Sequence, residues 1–330
     1  MSDKNLRMPL CQVAISSVDL QRSVDWYQSV FGFAPAGNRI RLHGPVLAKV
    51  SGLPEISASV AWVVDQQNMF QMEIFEFDKP EVRLRAHDSL PSDIGYAMLR
   101  IHVDNFDQFL DRVSNGRDQH PPQPWGGPGT RRVCIKDPDG ILIEVMEDDI
   151  RKIDRRFQSH PKIFSSVRGI TLSVPDLDKA RAFWVAVLGL VIVEDLPIHE
   201  ICRSGVRTGE RRVLTLDAGD FLVEIVQYVR PSGKPRPAGY LISDQGILNV
   251  ALGTTEIPVF DSVHRRILKS RYTLMSPPWT LPNVSTVVYA MDDQGFSVEL
   301  LHVYAHALEK MGFVPNTAQT NGGKADGRRP

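Results

Sequence analysis

The feature that most constrains this chain is internal repetition. Residues 10–33, LCQVAISSVDLQRSVDWYQSVFGF, return as residues 167–190, VRGITLSVPDLDKARAFWVAVLGL, with Asp19, Tyr27 and Gly32 answered by Asp176, Trp184 and Gly189, each 157 positions later. The segment KDPDGILIEVM from Lys136 returns as MDDQGFSVELL from Met291, with Asp137 and Glu144 answered by Asp292 and Glu299, each 155 positions on. Such a chain is a tandem duplication, and both copies must satisfy the same fold. Its 330 residues, 42% apolar and 23% charged, give each copy the length and composition of an ordinary globular domain.

Each copy divides again. Cys11, Val13 and Ile15 alternate with Gln12, Ala14 and Ser16, the period of a strand with one packed face. An amphipathic helix follows, with Asp19 placed to cap it, Leu20, Val24, Tyr27 and Phe31 on one stripe and Gly32 to stop it. The same strand and helix recur where Leu99, Ile101 and Val103 alternate with Met98, Arg100 and His102 ahead of Phe106, Phe109, Leu110 and Val113. They recur once more where Leu248, Val250 and Leu252 alternate with Asn249, Ala251 and Gly253. The chain is therefore expected to be α+β, with four βαβββ modules at 8–80, 93–149, 166–232 and 245–305. The halves 8–149 and 166–305 are expected as two domains joined by a charged linker, 150–165. Residues 306–330 are expected to hold a short helix, within YAHALEKMGF, and a disordered polar tail.

Charge and composition exclude some partners. Lys and Arg number 38 against 39 Asp and Glu, a net charge of −1, so there is no basic surplus for nucleic acid or for a membrane surface. No apolar run reaches the ~18 residues of a membrane span, and the start, MSDKNLRMPL, lacks a signal-peptide core. Cys11, Cys134 and Cys202 are three widely spaced thiols without a disulfide framework. A cytoplasmic protein acting on a small molecule is expected, and a homo-oligomer stays open.

The segment from Val18 to Phe33, its copy from Pro175 to Leu190, D-P-D-G-x3-E from Asp137 to Glu144 and D-D-x-G-x3-E from Asp292 to Glu299 together resemble the vicinal oxygen chelate superfamily. That superfamily includes glyoxalase I, bleomycin-resistance proteins and type I extradiol dioxygenases. The resemblance covers residues 8–305 and implies that paired modules curve into cups, with a divalent metal on the floor of each. It implies ligands from the first and last strand of each module. Those first-strand positions here are Gln12, Met98, Gly169 and Asn249, none a histidine, and the last-strand positions are Glu73, Glu144, Glu224 and Glu299. Alternation supports the glutamates independently, because Met72, Ile74, Ile143, Val145, Val223, Ile225, Val298 and Leu300 take the packed face and leave each Glu on the concave one.

Pairing modules in chain order predicts a first cup of Gln12, Glu73, Met98 and Glu144, joined by Arg100 and His102, and a second of Gly169, Glu224, Asn249 and Glu299. Glu73, Glu144, His102 and Arg100 are the catalytic candidates. Gln12, Met98, Asn249, Glu224, Glu299 and the cup-mouth tryptophans Trp125 and Trp279 are the substrate-binding candidates. His102 titrates near neutrality and could move a proton, and Arg100 could neutralise a carboxylate or hold an oxyanion. The expected activity is carboxylate-assisted proton transfer on a small oxygenated, aromatic metabolite, of the isomerase, lyase or cyclase type and with little or no need of metal. If a metal is bound, Gln12, Glu73 and Glu144, or Glu224, Asn249 and Glu299, would hold Mg2+ or Mn2+ before Fe2+, since their donors are oxygens. Two alternatives stand: extradiol ring cleavage, which needs a two-His, one-carboxylate iron site, and non-catalytic sequestration of a small ligand.

Overall fold

The computed structural model describes residues 6–114, 123–151, 163–203 and 206–316. Module one runs β1 (Leu10–Ser17), α1 (Leu20–Phe31), β2 (Ala34–His43), α2 (Pro45–Ser51), β3 (Ser57–Val64) and β4 (Gln71–Lys79). Module two has β5 (Gly95–Val103), α3 (Phe106–Ser114), β6 (Arg132–Lys136) and β7 (Leu142–Met146). Module three has β8 (Ser165–Ser173), α4 (Leu177–Arg181), a π-helical turn at Ala182–Val187, β9 (Val191–Arg203), β10 (Val206–Asp217) and β11 (Leu222–Arg230). Module four has β12 (Gly246–Thr254), α5 (Ile257–Leu268), β13 (Thr273–Leu274), β14 (Trp279–Leu281), β15 (Ser285–Met291) and β16 (Ser297–Val303).

The caps act as the sequence suggests. Asp19 accepts a hydrogen bond from the Arg22 N–H at the start of α1, and Gly32 ends the helix in the left-handed conformation, φ 73°. Asp176 accepts from Asp178 and Lys179 at the start of α4. The D-x-x-G turns are built by their first aspartate: Asp137 Oδ1 accepts from the Asp139 and Ile141 N–H groups, and Asp292 Oδ1 from those of Gln294 and Phe296. Asp139 then binds Ser23 Oγ, and Tyr27 donates to Asp137, which ties α1 of module one to the turn of module two.

Within each module the first and last strands run parallel and adjacent, as β1 with β4, β5 with β7, β8 with β11 and β12 with β16. Between modules the pairing is not the one expected. β1 pairs antiparallel with β12, joining modules one and four in a sheet of order β13-β15-β16-β12-β1-β4-β3-β2. β5 pairs antiparallel with β8, joining modules two and three in the order β6-β7-β5-β8-β11-β10-β9. The two cups are therefore nested rather than consecutive. Every module offers its first strand as an open edge, and strand periodicity fixes which face is packed without choosing which edge completes it.

The helices fill the space between the packed faces of the two sheets, where Phe31 of α1 stacks on Phe109 of α3 at 5.6 Å. Among the described residues no helix is long and apolar enough to cross a membrane. Residues 152–162 of the expected linker and 317–330 of the expected tail lie outside the described residues. The expected helix in YAHALEKMGF is a single 3-10 turn, Ala305–Ala307, after which the chain continues across the first cup. Phe313 buries fully beside Cys11, Ala251 and Leu301 on the concave face, and Asn316 donates to the carbonyls of Pro35 (2.8 Å) and Gly37 (3.1 Å) on β2.

Candidate functional site

Four adjacent strands, β16, β12, β1 and β4, place Glu299, Asn249, Gln12 and Glu73 on the concave face of the first sheet. The partners opposite the two glutamates are Ala251 and Ala14, small residues that leave the space above the carboxylates to the amides. Gln12 and Glu73 thus meet Asn249 and Glu299, not the expected Met98 and Glu144. Gln12 Nε2 donates to one oxygen of Glu73, and Trp62 Nε1 on β3 donates to the other at 3.1 Å. Tyr289 on β15 stands opposite Glu299 across the strand pair.

The electrostatics of this pair are unusual. Burial, helped by the negative charge of Glu299, pushes the Glu73 carboxyl up to about 8, while Trp62 and Gln12 pull against it. Burial alone pushes Glu299 up to about 7, against hydrogen bonding from Tyr289 and Asn249. Among the described residues no Lys, Arg or His side chain contributes to either shift. Burial and the two glutamate charges hold the Tyr289 phenol well above its ordinary value, so it stays protonated as a donor to Glu299. At neutral pH this cup therefore holds carboxyl groups poised between their two protonation states.

The donor set is two carboxylates and two amides, all of which offer oxygen. Among the described residues no three His, Cys, Asp or Glu side chains converge, so a cation here would need the amide oxygens of Gln12 and Asn249 as well. Asn249 hydrogen-bonds toward Glu299 and Tyr289, so its amide lies within reach of the same site. Such a set fits Mg2+ or Mn2+. It does not fit the imidazole-rich iron site of ring cleavage, since the first-strand positions hold Gln12, Met98, Gly169 and Asn249.

The second cup is organised differently. Arg100 lies between its two glutamates, with Nε 3.0 Å from Glu144 Oε2 and an Nη 3.6 Å from Glu224 Oε2. Thr171 adds a hydrogen bond to Glu224 at 3.3 Å. The glycine in the first-strand position explains how this is accommodated: a Cβ on Gly169 would meet the Leu222 carbonyl oxygen at 2.9 Å and the Arg100 side chain at 3.4 Å. A guanidinium thus spans the place where the resemblance put a metal. Met98 is buried on the same face. His102 lies further along β5, its Nε2 3.5 Å from Asp104. The expected catalytic group is consequently split, with Glu73 in one cup and Glu144, Arg100 and His102 in the other. The tryptophans stand apart from both sets. Trp125 forms an isolated bridge with Arg132, and Trp279 lines a separate cavity with Pro45, Val46 and Pro278.

Trp62 and Tyr289 are site residues that sequence reasoning missed. Each sits on the concave period of its strand, but an aromatic at that spacing reads equally as core. Also missed was the strap that ends the described chain. Gly312, at φ 75°, lies flat against the Trp62 indole, where a Cβ would meet ring atoms at 2.7 Å. With its nitrogen turned to the strap, the Gln71 amide donates to the carbonyls of Gly312 (2.7 Å) and Met311 (2.9 Å). Gly312→Ala is expected to push Trp62 off Glu73 and to lower stability by about 1–3 kcal/mol. Denaturant unfolding with tryptophan fluorescence checks this, and unchanged emission and midpoint would show that the strap does not set the indole.

The family model described as the Glyoxalase/Bleomycin resistance protein/Dioxygenase superfamily matches residues 10–145 and 167–300. Among solved structures, glyoxalase I from Zea mays is similar at 15% identity, covering 89% of this chain and 92% of that one, with a TM-score of 0.57. A dioxygenase candidate from Bacillus subtilis subsp. subtilis is similar at 13% identity, covering 93% of this chain and 87% of that one, with a TM-score of 0.61. At such identities the likeness is one of fold. No curated protein matches the chain in sequence.

Proposed function

Because the chain belongs to the Glyoxalase/Bleomycin resistance protein/Dioxygenase superfamily, we propose that it is an enzyme moving a proton on a small oxygenated, aromatic metabolite in the first cup. The reaction is of the isomerase, lyase or cyclase type. The observation that carries this reading is the pair Glu73 and Glu299, two neighbouring concave-face carboxyls that desolvation pushes up to about 8 and about 7. A general acid or base works best when its pKa lies near the working pH, and these two straddle it. Glu73, the more exposed of the two, takes the proton from carbon in its ionised form, which grows as pH rises toward 8. Glu299, held by Tyr289 and Asn249, returns it or holds the substrate oxygen. Trp62 and Gln12 fix the orientation of the Glu73 carboxylate, each donating to one of its oxygens.

Gln12, Glu73, Asn249 and Glu299 are also the residues that would hold a divalent cation of the Mg2+ or Mn2+ kind, and such an ion would stabilise an oxyanion developing on the substrate. Proton transfer by Glu73 stands without it. In this reading the second cup is a structural counterpart, because the Arg100 guanidinium is placed between its glutamates.

Proton transfer to carbon in D2O leaves deuterium behind. With a panel of small hydroxy-carbonyl and enolisable aromatic compounds, we expect NMR to show deuterium entering at one carbon of an accepted compound. Exchange should be lost in Glu73→Gln and kept in Glu224→Gln of the second cup. Exchange that survives Glu73→Gln with Glu299→Gln, or that is lost in a folded Glu224→Gln, would place the chemistry elsewhere.

A further inference from the structure

A second feature of the repeat lies outside both cups. The crossovers that follow modules one and three are one stretch written twice: Arg83, Arg85, Asp93 and Gly95 recur 151 positions later as Lys234, Arg236, Asp244 and Gly246. The two copies face each other. Ile94 N donates to the Lys234 carbonyl at 2.9 Å, Gln245 N to the Arg83 carbonyl at 3.0 Å, and Arg85 N to Gln245 Oε1 at 2.9 Å. Between them lies a cavity of about 350 Å³, whose walls include Tyr96, Tyr240, Pro235 and Pro237.

Four cations line this cavity against two acids, Asp93 and Asp244. Three of the four are engaged. An Arg83 Nη stands 3.8 Å from Asp244, Lys234 pairs with Asp88 at 3.0 Å, and Arg236 donates to the Gly295 carbonyl at 2.6 Å while lying over Phe296 at 4.2 Å. Arg85 occupies the place of Arg236 in the other copy, but its guanidinium makes no hydrogen bond or ion pair among the described residues, and its Nε is sealed from solvent without a partner. Gly246 admits it, since a Cβ there would meet an Arg85 Nη at 3.0 Å. Asp93 does not answer it with a bond: one oxygen accepts from the Leu90 N–H and the other is buried without a partner. Burial accordingly lowers the Arg85 pKa from its ordinary value, with Asp137, Asp93 and Tyr240 opposing.

A guanidinium carries five donors in a planar fork, and leaving that fork unpaired inside a pocket is unfavourable. An oxyanion meets it with two parallel hydrogen bonds. We propose that this cavity is a binding site for a small oxyanion, a carboxylate or phosphate on a flat apolar body, gripped by Arg85 and flanked by Tyr96 and Tyr240. The size of the cavity suits a small metabolite, and the site is independent of the cups.

The test is titration calorimetry and thermal melting of the full chain at low ionic strength, with phenyl phosphate, benzoate and inorganic phosphate as separate probes and sodium chloride at matched ionic strength as control. We expect saturable binding of one equivalent of phenyl phosphate or benzoate, tighter than inorganic phosphate, with a melting shift that chloride does not give. Which aryl probe binds decides between phosphate and carboxylate. Arg85→Gln should weaken binding at least tenfold while melting no lower than the parent without ligand, because the Arg85 guanidinium holds no bond among the described residues and its backbone bond to Gln245 is kept. Arg85→Lys, which keeps the charge but not the fork, should fall between the two and serves if the glutamine variant does not fold. Binding should be unchanged in Glu73→Gln, which separates this site from the cup. If no oxyanion shifts the melt beyond the chloride control, or if Arg85→Gln binds as tightly as the parent, the site is not there.

Discussion

Replacing Glu73 with glutamine is expected to make the protein more stable above neutral pH while removing its activity. In the unfolded chain both Glu73 and Glu299 ionise near the ordinary 4.5, whereas in the folded protein they hold protons up to about 8 and about 7. Between those limits the native state binds more protons than the unfolded state, so stability falls as pH rises. The contribution is fully present below about pH 4.5 and lost on passing through pH 7 to 8. Glutamine still accepts from Trp62 and carries no charge to desolvate, so the variant should gain about 1–3 kcal/mol at pH 8, with a flatter pH profile. Buried Asp65 and Asp137, raised to about 6 and about 7, add a slope of the same sign in both proteins and cancel in the comparison. Activity should drop by about 10²- to 10⁴-fold, the usual contribution of a general base. Because a cation can replace the protons, Mn2+ added at pH 8 should raise the melting temperature of the parent and leave that of the variant in place. Urea unfolding of both proteins at pH 5, 7 and 8 reads the effect directly, and identical slopes would mean that the pair is not desolvated in the native state.

The opposite outcomes for the two cups show which parts of the fold were legible. Helix α1, with its Asp19 cap, its Leu20, Val24, Tyr27 and Phe31 stripe and its Gly32 stop, depends only on neighbours within one turn, and so could be read from the chain. The four concave glutamates were legible for the same reason, since a period of two decides the face of a strand wherever the other face is packed. What could not be read was the partner of each open edge. Gln12 and Glu73 were grouped with Met98 and Glu144, because adjacency in the chain was the only guide available. The pairing of β1 with β12 gives them Asn249 and Glu299 instead, and that exchange turns a set interrupted by a thioether into one made wholly of oxygen donors. The same exchange takes His102 and Arg100 away from Glu73. The strap was illegible because its work is done by backbone: Gly312, Asn316 and the carbonyls of Met311 and Gly312 have no periodic signal.

Arg100→Met is expected to lower stability strongly while touching neither the packed core nor the first cup. Glu144 and Glu224 are 4% and 7% exposed, and Arg100 is the cation they share. Removing one partner of a buried ion pair strands charge in a low dielectric and costs about 3–5 kcal/mol, more than the pair itself contributes over an apolar substitute. On that accounting the loss comes from two carboxylates deprived of their shared cation and not from the missing side chain. The triple variant Arg100→Met, Glu144→Gln, Glu224→Gln should therefore recover most of the stability of the parent. Arg100→Lys should recover little, because a single ammonium on a flexible stem does not span two carboxylates as the planar fork does. Chemical denaturation of the parent, these three variants and the variant Glu144→Gln, Glu224→Gln with Arg100 intact forms a complete cycle. Should the triple variant remain as unstable as Arg100→Met, Arg100 would matter for its packing beside Gly169 and not for its charge. The cycle bears on function as well. Both cups inherit a pair of concave glutamates from the same duplicated module. The one with an internal guanidinium has a cation between its carboxylates, whereas in the other the described partners, Gln12, Trp62, Asn249 and Tyr289, are all uncharged, and this difference is why the proposed proton transfer is assigned to the first cup.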